Sequence, residues 1–213
     1  MKAPVARLIA LSLVATLAAA GCGSVLGPQK DESQFFMLTA SAESGVAPVP
    51  TRLGSALAIG LGPVSFPDYL KRPEVVTRVS ADQLRLSENR RWAEPLDANF
   101  KAVLAEDLSR MLATQQIVMF PWYPQTRLDY RVEIQVSRMD VSSDGQSVLI
   151  ATWDIKNAGG NLLYSGATTA TAPVGTGDPV GSAALSRDVG ELAGQIADRI
   201  RRLSAGAQAL SQG

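Results

Sequence analysis

Apolar positions along this chain recur with two periods, and the switches between them mark out its elements. Leu96, Phe100, Val103, Leu104, Leu108, Met111 and Leu112 recur at spacings of three and four, which lines one face of a helix. Pro95 suits its opening turn, and Glu106 with Arg110 would form an exposed i,i+4 pair. Leu185, Val189, Leu192, Ile196, Ile200 and Leu203 predict a second, longer helix with Arg187, Glu191, Asp198, Arg201 and Arg202 on its other face. Asp178-Pro179 supplies that helix with an N-cap and first turn. Between the two helices the period drops to two. Leu128, Tyr130, Val132, Ile134 and Val136 alternate with polar residues, as in a strand with one wet face. Met139 and Val141 fall out of phase, which predicts a bulge near Ser137-Arg138. Turns at Ser143-Gly145 and Asn157-Gly160 bracket a strand over Val148–Ile155, and Leu162–Ala172 completes a three-stranded antiparallel meander.

Shorter apolar runs at Phe35–Leu38, Leu57–Leu61, Val75–Val79 and Ile117–Phe120 read as further strands. Two helices and about six strands fit one layered α/β domain. No internal repeat and no second domain is visible, so residues 35–213 are expected to form a single unit.

The most sequence-specific polar and aromatic residues cluster between Ala58 and Leu96. Pro67 and Pro73 restrict the backbone around Tyr69-Leu70, which puts Tyr69 and Arg72 on a proline-bounded loop. Arg90, Arg91 and Trp92 precede Glu94-Pro95 and are expected to open the first helix. One reading stacks a guanidinium on Trp92 and pairs an arginine with Glu94, pinning the loop to the helix. The other offers Arg91 and Trp92 as anchors for a partner, since Trp, Tyr and Arg dominate binding hot spots. Trp122 and Tyr123, between Pro121 and Pro124, form a second aromatic loop that suits core, interface or lipid contact.

The start of the chain changes the setting. Residues 1–21 read as a cleaved export signal: Lys2 and Arg7 precede an apolar run from Leu8 to Ala20 that is too short to span a bilayer. The run ends in Ala-Ala-Ala-Gly21-Cys22, which resembles a bacterial lipobox. Cys22 is the only cysteine, and lipid attachment explains a lone thiol in an exported chain. Residues 22–34 would then be the lipidated cysteine and a polar tether, and the domain must hold without disulfides. Gly23 follows the cysteine in place of aspartate; by the enteric sorting rule this points to the outer membrane, facing the periplasm.

Charge and composition narrow the chemistry. Twenty basic residues balance twenty acidic ones, with no basic block to track a phosphate backbone, so nucleic acid is not an expected partner. Histidine is absent, which removes the usual general base and the commonest metal ligand. The Gly60-Leu-Gly62 and Gly159-Gly160 runs do not continue into phosphate-loop patterns. Acidic pairs such as Glu94 with Asp97, or Asp140 with Asp144, are explained by capping and turns. No enzyme, cofactor or metal is expected.

Pro67-Asp68-Tyr69-Leu70, Arg72-Pro73 and Arg91-Trp92-Ala93-Glu94-Pro95-Leu96 form a long composite that resembles the signature of the PqiC/YmbA-type auxiliary lipoproteins. The likeness extends from about Phe35 to the C-terminal helix. It implies a mixed, largely antiparallel sheet of about five to six strands flanked by two main helices. It also implies a non-enzymatic auxiliary subunit of an MCE-type transport system serving membrane lipids and envelope integrity. The implied partners are an MCE-domain protein and, through the lipid at Cys22, the membrane; a homo-oligomer is left open. Two alternatives stand beside it: direct carriage of lipid, which needs an apolar cavity of several hundred Å³, and a structural envelope lipoprotein without a transport role.

Overall fold

The computed structural model describes residues 32–40 and 57–211. The chain runs β1 (Gln34–Phe36), β2 (Ile59–Ser65), a 3-10 turn (Asp68–Leu70), β3 (Glu74–Arg78), β4 (Leu84–Trp92) and α1 (Leu96–Leu112). It continues through β5 (Ile117–Met119), β6 (Tyr130–Ser142), β7 (Gln146–Asn157), β8 (Leu162–Pro173) and α2 (Ser182–Ser211). The leader, Cys22 and most of the tether lie outside the described residues.

The longest alternating segment becomes the spine of the sheet. Along one edge β6 pairs antiparallel with β7, from Tyr130↔Asn157 to Val141↔Ser147, and β7 pairs antiparallel with β8. Along the other edge β6 forks. Its first half runs parallel to β2 (Ile59↔Tyr130 to Ser65↔Gln135), with β5 beyond. Its last residues run parallel to β3 (Thr77↔Val141, Arg78↔Ser142), with β4 and then β1 beyond. The register shift between Val136 and Arg138 is the expected bulge. An extra residue bends and twists a strand, and here it falls between the two branches.

The helices form where the periodicity places them. Leu96, Phe100, Val103, Leu104, Leu108 and Leu112 are buried, and so are Leu185, Val189, Leu192, Ile196 and Ile200. Helix α2 packs on β6, β7, β8 and α1, while α1 packs on β2 and β5. Beneath α2 the buried residues Leu149, Ala151, Trp153 and Ile155 of β7 alternate with half-buried or exposed ones. Gly166 makes room for the indole of Trp153, since a Cβ there would lie 2.5 Å from the ring. The Trp153 Nε1–H donates to Thr168 Oγ1 at 3.0 Å, so the ring is buried without leaving its polar atom unpaired.

Among the described residues the fold is thus α/β with a mixed sheet and two main helices, and the sheet has eight strands where five to six were expected. The strand that periodicity missed is β4. Every residue before Trp92 in it is at least partly exposed, so no alternation marks it. Arg91 and Trp92 therefore sit on a strand and do not open a helix. Pro95 caps α1, its carbonyl accepting from the Ala98 and Asn99 N–H groups at 2.9 and 3.1 Å. Arg110 pairs with the buried Asp107 one turn back, not with Glu106. Asp178 does cap α2, but from a distance: its carboxylate accepts from the Ser182 and Ala183 N–H groups at 2.8 and 3.0 Å. Among the described residues no helix is long and apolar enough to cross a membrane.

Candidate functional site

The proline-bounded loop is fixed from below by one buried carboxylate. Asp140, 1% exposed, lies just past the bulge on β6, on the face of the sheet opposite its buried neighbour Met139. Arg78 Nε donates to its Oδ2 at 2.9 Å and Arg138 Nε to its Oδ1 at 2.9 Å. Both arginines add a second contact at 2.8 Å. The Tyr69 hydroxyl, from the 3-10 turn, donates to Oδ2 at 3.4 Å. Burial, and then the charge of Asp140, raise the Tyr69 pKa, so the phenol stays a donor at any ordinary pH. A buried carboxylate held by two guanidinium groups satisfies its lone pairs through charge-assisted bonds. It ties β3, β6 and the 3-10 turn together, and Tyr69 holds the turn in place.

Beyond Tyr69 the chain enters a groove of about 400 Å³ lined by Lys71, Arg72 and Pro73 on one segment and by Trp92 to Asp97 on the other. The two segments are joined beneath it: the Trp92 N–H donates to Pro73 O at 2.7 Å, and the Ala93 N–H to Phe36 O at 2.9 Å. Trp92 and Leu96 are buried and form an apolar floor with the prolines. Two of the charged residues at the rim are already paired, Lys71 with Asp68 at 2.7 Å and Asp97 with Lys101 at 3.0 Å. Lys71 holds the Asp68 pKa below its ordinary value. Arg72 and Glu94 are exposed and have no ion pair or side-chain hydrogen bond among the described residues. The groove thus presents one free cation and one free anion over an apolar floor, a combination suited to holding a segment that carries both charges.

The residues singled out from sequence divide accordingly. Arg72 and Trp92 meet in the groove, although about twenty residues separate them in the chain. Arg91 is half-buried on β4, in register with Glu74, and its Nε has no hydrogen-bond partner. No ion pair joins Glu94 to Arg90 or Arg91; Arg90 donates instead to Pro179 O at 3.1 Å. Trp122 and Tyr123 lie elsewhere. The indole of Trp122 covers Gly60 of β2, where a Cβ would come within 2.7 Å of the ring. Its Nε1–H donates to Val118 O at 2.9 Å, and it meets Phe120 edge-on at 5.3 Å. Trp122 is therefore packed, while Tyr123 is 75% exposed.

Three buried carboxylates among the described residues escaped sequence reasoning: Asp107 (which pairs with Arg110), Asp140 and Asp188. Asp140 was readable only as part of a turn pair: the phase break at Met139 points it away from the core, and it is buried on that face by Arg78, Arg138 and Tyr69. Asp188 lies on the buried side of α2, and neither of its carboxylate oxygens has a hydrogen-bond partner in good geometry among the described residues; the neighbouring Ser147 hydroxyl donates to Ala172 O at 3.0 Å instead and acts on the carboxylate only by its proximity. Burial, reinforced by the charge of Glu191 and opposed by Ser147 and Arg187, raises its pKa to about 6.

The comparisons with known proteins agree with this architecture. A family model described as "ABC-type transport auxiliary lipoprotein component" matches residues 36–197. Among solved structures, a Xanthomonas campestris protein of the DUF330 family superposes with a TM-score of 0.65 at 15% identity, covering 84% of this chain and 100% of its own. A second crystal structure, of an uncharacterized protein, gives a TM-score of 0.60 at 20% identity, covering 79% of this chain and 98% of its own. At these identities the two structures speak to the fold alone. No curated protein gives a significant match.

Proposed function

The chain belongs to the family of ABC-type transport auxiliary lipoprotein components, and from that premise we propose that it holds the MCE-domain protein of a lipid-transport system at the periplasmic face of the outer membrane. The observation that carries the proposal is the groove. It joins the two halves of the composite motif, Arg72-Pro73 and Trp92-Ala93-Glu94-Pro95-Leu96, into one surface with an apolar floor and two unpaired charges. A buried tryptophan beside a free arginine is the usual make-up of a binding anchor. Lipid at Cys22 holds the chain to the membrane, and the groove takes an extended segment of the partner. The work is docking, and no residue of the groove needs to transfer a proton or a group.

Two measurements test this. Purified mature chain is mixed with a candidate MCE-domain protein from the same organism, and the complex is followed by calorimetry. Saturable binding by the wild type is expected; no binding would overturn the reading. Cys22→Ser in the full chain should leave the protein unacylated by intact mass and release it from the membrane fraction. Normal membrane retention of that variant would remove the lipid anchor from the account.

A further inference from the structure

Strand β4 breaks step with its neighbour. Between the pairs Val76↔Leu86 and Glu74↔Arg91, β3 advances two residues while β4 advances five. The surplus residues bow out of the ladder, and a bulge of this kind re-aims side chains. The Arg90 N–H donates to Ser87 Oγ at 3.1 Å, which closes the bow. Arg90 Nη1 donates to Pro179 O at 3.1 Å, so its guanidinium reaches the loop that leads into α2.

Between the bow and that loop lies a cleft of about 390 Å³, within the range of small-ligand sites, about 300–1,000 Å³. Its floor crosses three strands. Val141 of β6 is in register with Thr77 of β3, and Thr77 with Arg85 of β4, so the three share one face. The row starts under the loop, where a Cβ on Gly181 would lie 2.4 Å from Val141 Cγ2. It ends at Arg85, which is exposed and has no ion pair or side-chain hydrogen bond among the described residues. Polarity thus rises along the floor from a methyl group through a hydroxyl to a cation. Val174 and Val180 extend the apolar end.

The charges lining the cleft have one sign. Among the described residues Arg85 and Arg90 are the only charged ones that line it. Asp178, beside Pro179, turns its carboxylate to the Ser182 and Ala183 N–H groups instead. Two guanidinium groups without an acid repel each other, and an anion between them reverses that interaction. Guanidinium donors match phosphate oxygens in pairs, and the Thr77 and Ser87 hydroxyls add donors beside them.

We propose that this cleft binds a small phosphate-bearing ligand, with the phosphate between Arg85 and Arg90 and the uncharged remainder toward Val141, Val174 and Val180. A phospholipid headgroup and a free phosphate ester share this chemistry. The cleft has no lining residue in common with the groove at Trp92, and the inference does not rest on the MCE reading.

The test uses the acylated full chain in maltoside micelles. Amide hydrogen exchange of residues 84–90 is followed against three probes: inorganic phosphate, glycerol 3-phosphate, and phosphatidylglycerol mixed into the micelles. Protection that saturates below about 10 mM is expected with at least one probe. Saturation by phosphatidylglycerol alone identifies a lipid headgroup, and saturation by the soluble probes identifies a free phosphate compound. Arg85→Ala should raise the midpoint at least about tenfold, the loss of one charge-assisted contact, without moving the thermal midpoint. Arg127→Ala, an equally exposed arginine on another loop, should bind as the wild type does. Three results would overturn the proposal: no protection by any probe, binding unchanged in Arg85→Ala, or equal weakening in Arg127→Ala.

Discussion

The meander of β6, β7 and β8 under α2 and the wing of β3, β4 and β1 share one sheet but use their side chains in opposite ways. In the meander every strand is long, one face is buried residue by residue, and Trp153 fills a notch left by Gly166. In the wing, β4 keeps almost nothing inside until Trp92, and its charged residues face water. A packed face has no surface to spare for a partner, since its free energy comes from removing that surface from water. The wing holds its place through few contacts, chiefly Val75, Val76, Trp92 and the Asp140 cluster, which leaves Arg72 and Glu94 unengaged. Close packing is concentrated in one branch of the fork, and the exposed, unpaired charges of the groove lie in the other.

The largest expected effect separates the two branches by their tryptophans. Trp153→Ala should cost about 3–5 kcal/mol of stability, the range for deleting a buried aromatic, and unfold the domain near physiological temperature. Trp92→Ala should cost about 3 kcal/mol, at the low end of that range, and should abolish partner binding as well, because the same ring floors the groove. Denaturant unfolding monitored by circular dichroism measures both. A Trp92 variant with an unchanged midpoint would mean the wing is held by something other than its one buried ring.

Asp140 is where the branches are fastened, and its loss comes next. Asp140→Ala leaves Arg78 and Arg138 facing each other with no carboxylate between them. Breaking a buried ion pair from one side costs about 3–5 kcal/mol. Both arginines are partly exposed, 18% and 26% by side chain, so about 2–3 kcal/mol is expected here. The loss should be accompanied by faster hydrogen exchange in β3 and the 3-10 turn than in β7. Uniform loss of protection across the sheet would contradict the fork.

How far the sequence revealed all this follows the same division. Both helices and the meander were readable, bulge included, because burial of one face imposes a period and the period is visible in the residues. The wing was not. Strand β4 exposes both faces, so it carries no alternation, and Arg91-Trp92 looked like the approach to a helix. The composite motif showed that the residues at 67–73 and 91–96 matter, but not that they form two sides of one groove. That depends on β3–β4 pairing, which no local pattern encodes. Asp140 and Asp188 were hidden for a related reason: a buried charge has the same letter as an exposed one, and only packing tells them apart.

Asp188 gives a smaller effect, of opposite sign, inside the well-packed half. Burial raises its carboxyl to about 6, above the unfolded value of about 3.9, so the folded state holds the proton more tightly. The stability this proton contributes is fully present below about pH 4 and is lost as the pH rises through 6. Asp188→Asn carries no charge to bury. It should match the wild type at pH 4 and exceed it at pH 8 by about 1–3 kcal/mol, given about 1.4 kcal/mol for each pKa unit. A variant less stable than the wild type at pH 8 would show that the carboxylate has a partner after all.

The smallest effect on stability belongs to the residues on which the proposed docking rests, Arg72 and Glu94. Exposed and without a partner in the fold, each should tolerate alanine within about 0.5 kcal/mol of stability. The most direct test measures the calorimetric affinity of the MCE-domain protein for wild type, Arg72→Ala, Glu94→Ala and the double variant, with the thermal midpoint of each. The account predicts unchanged midpoints, a loss of at least about 1 kcal/mol of binding for each single variant, and a larger loss for the double. Full-strength binding by the double variant would contradict it and take the docking site out of the groove.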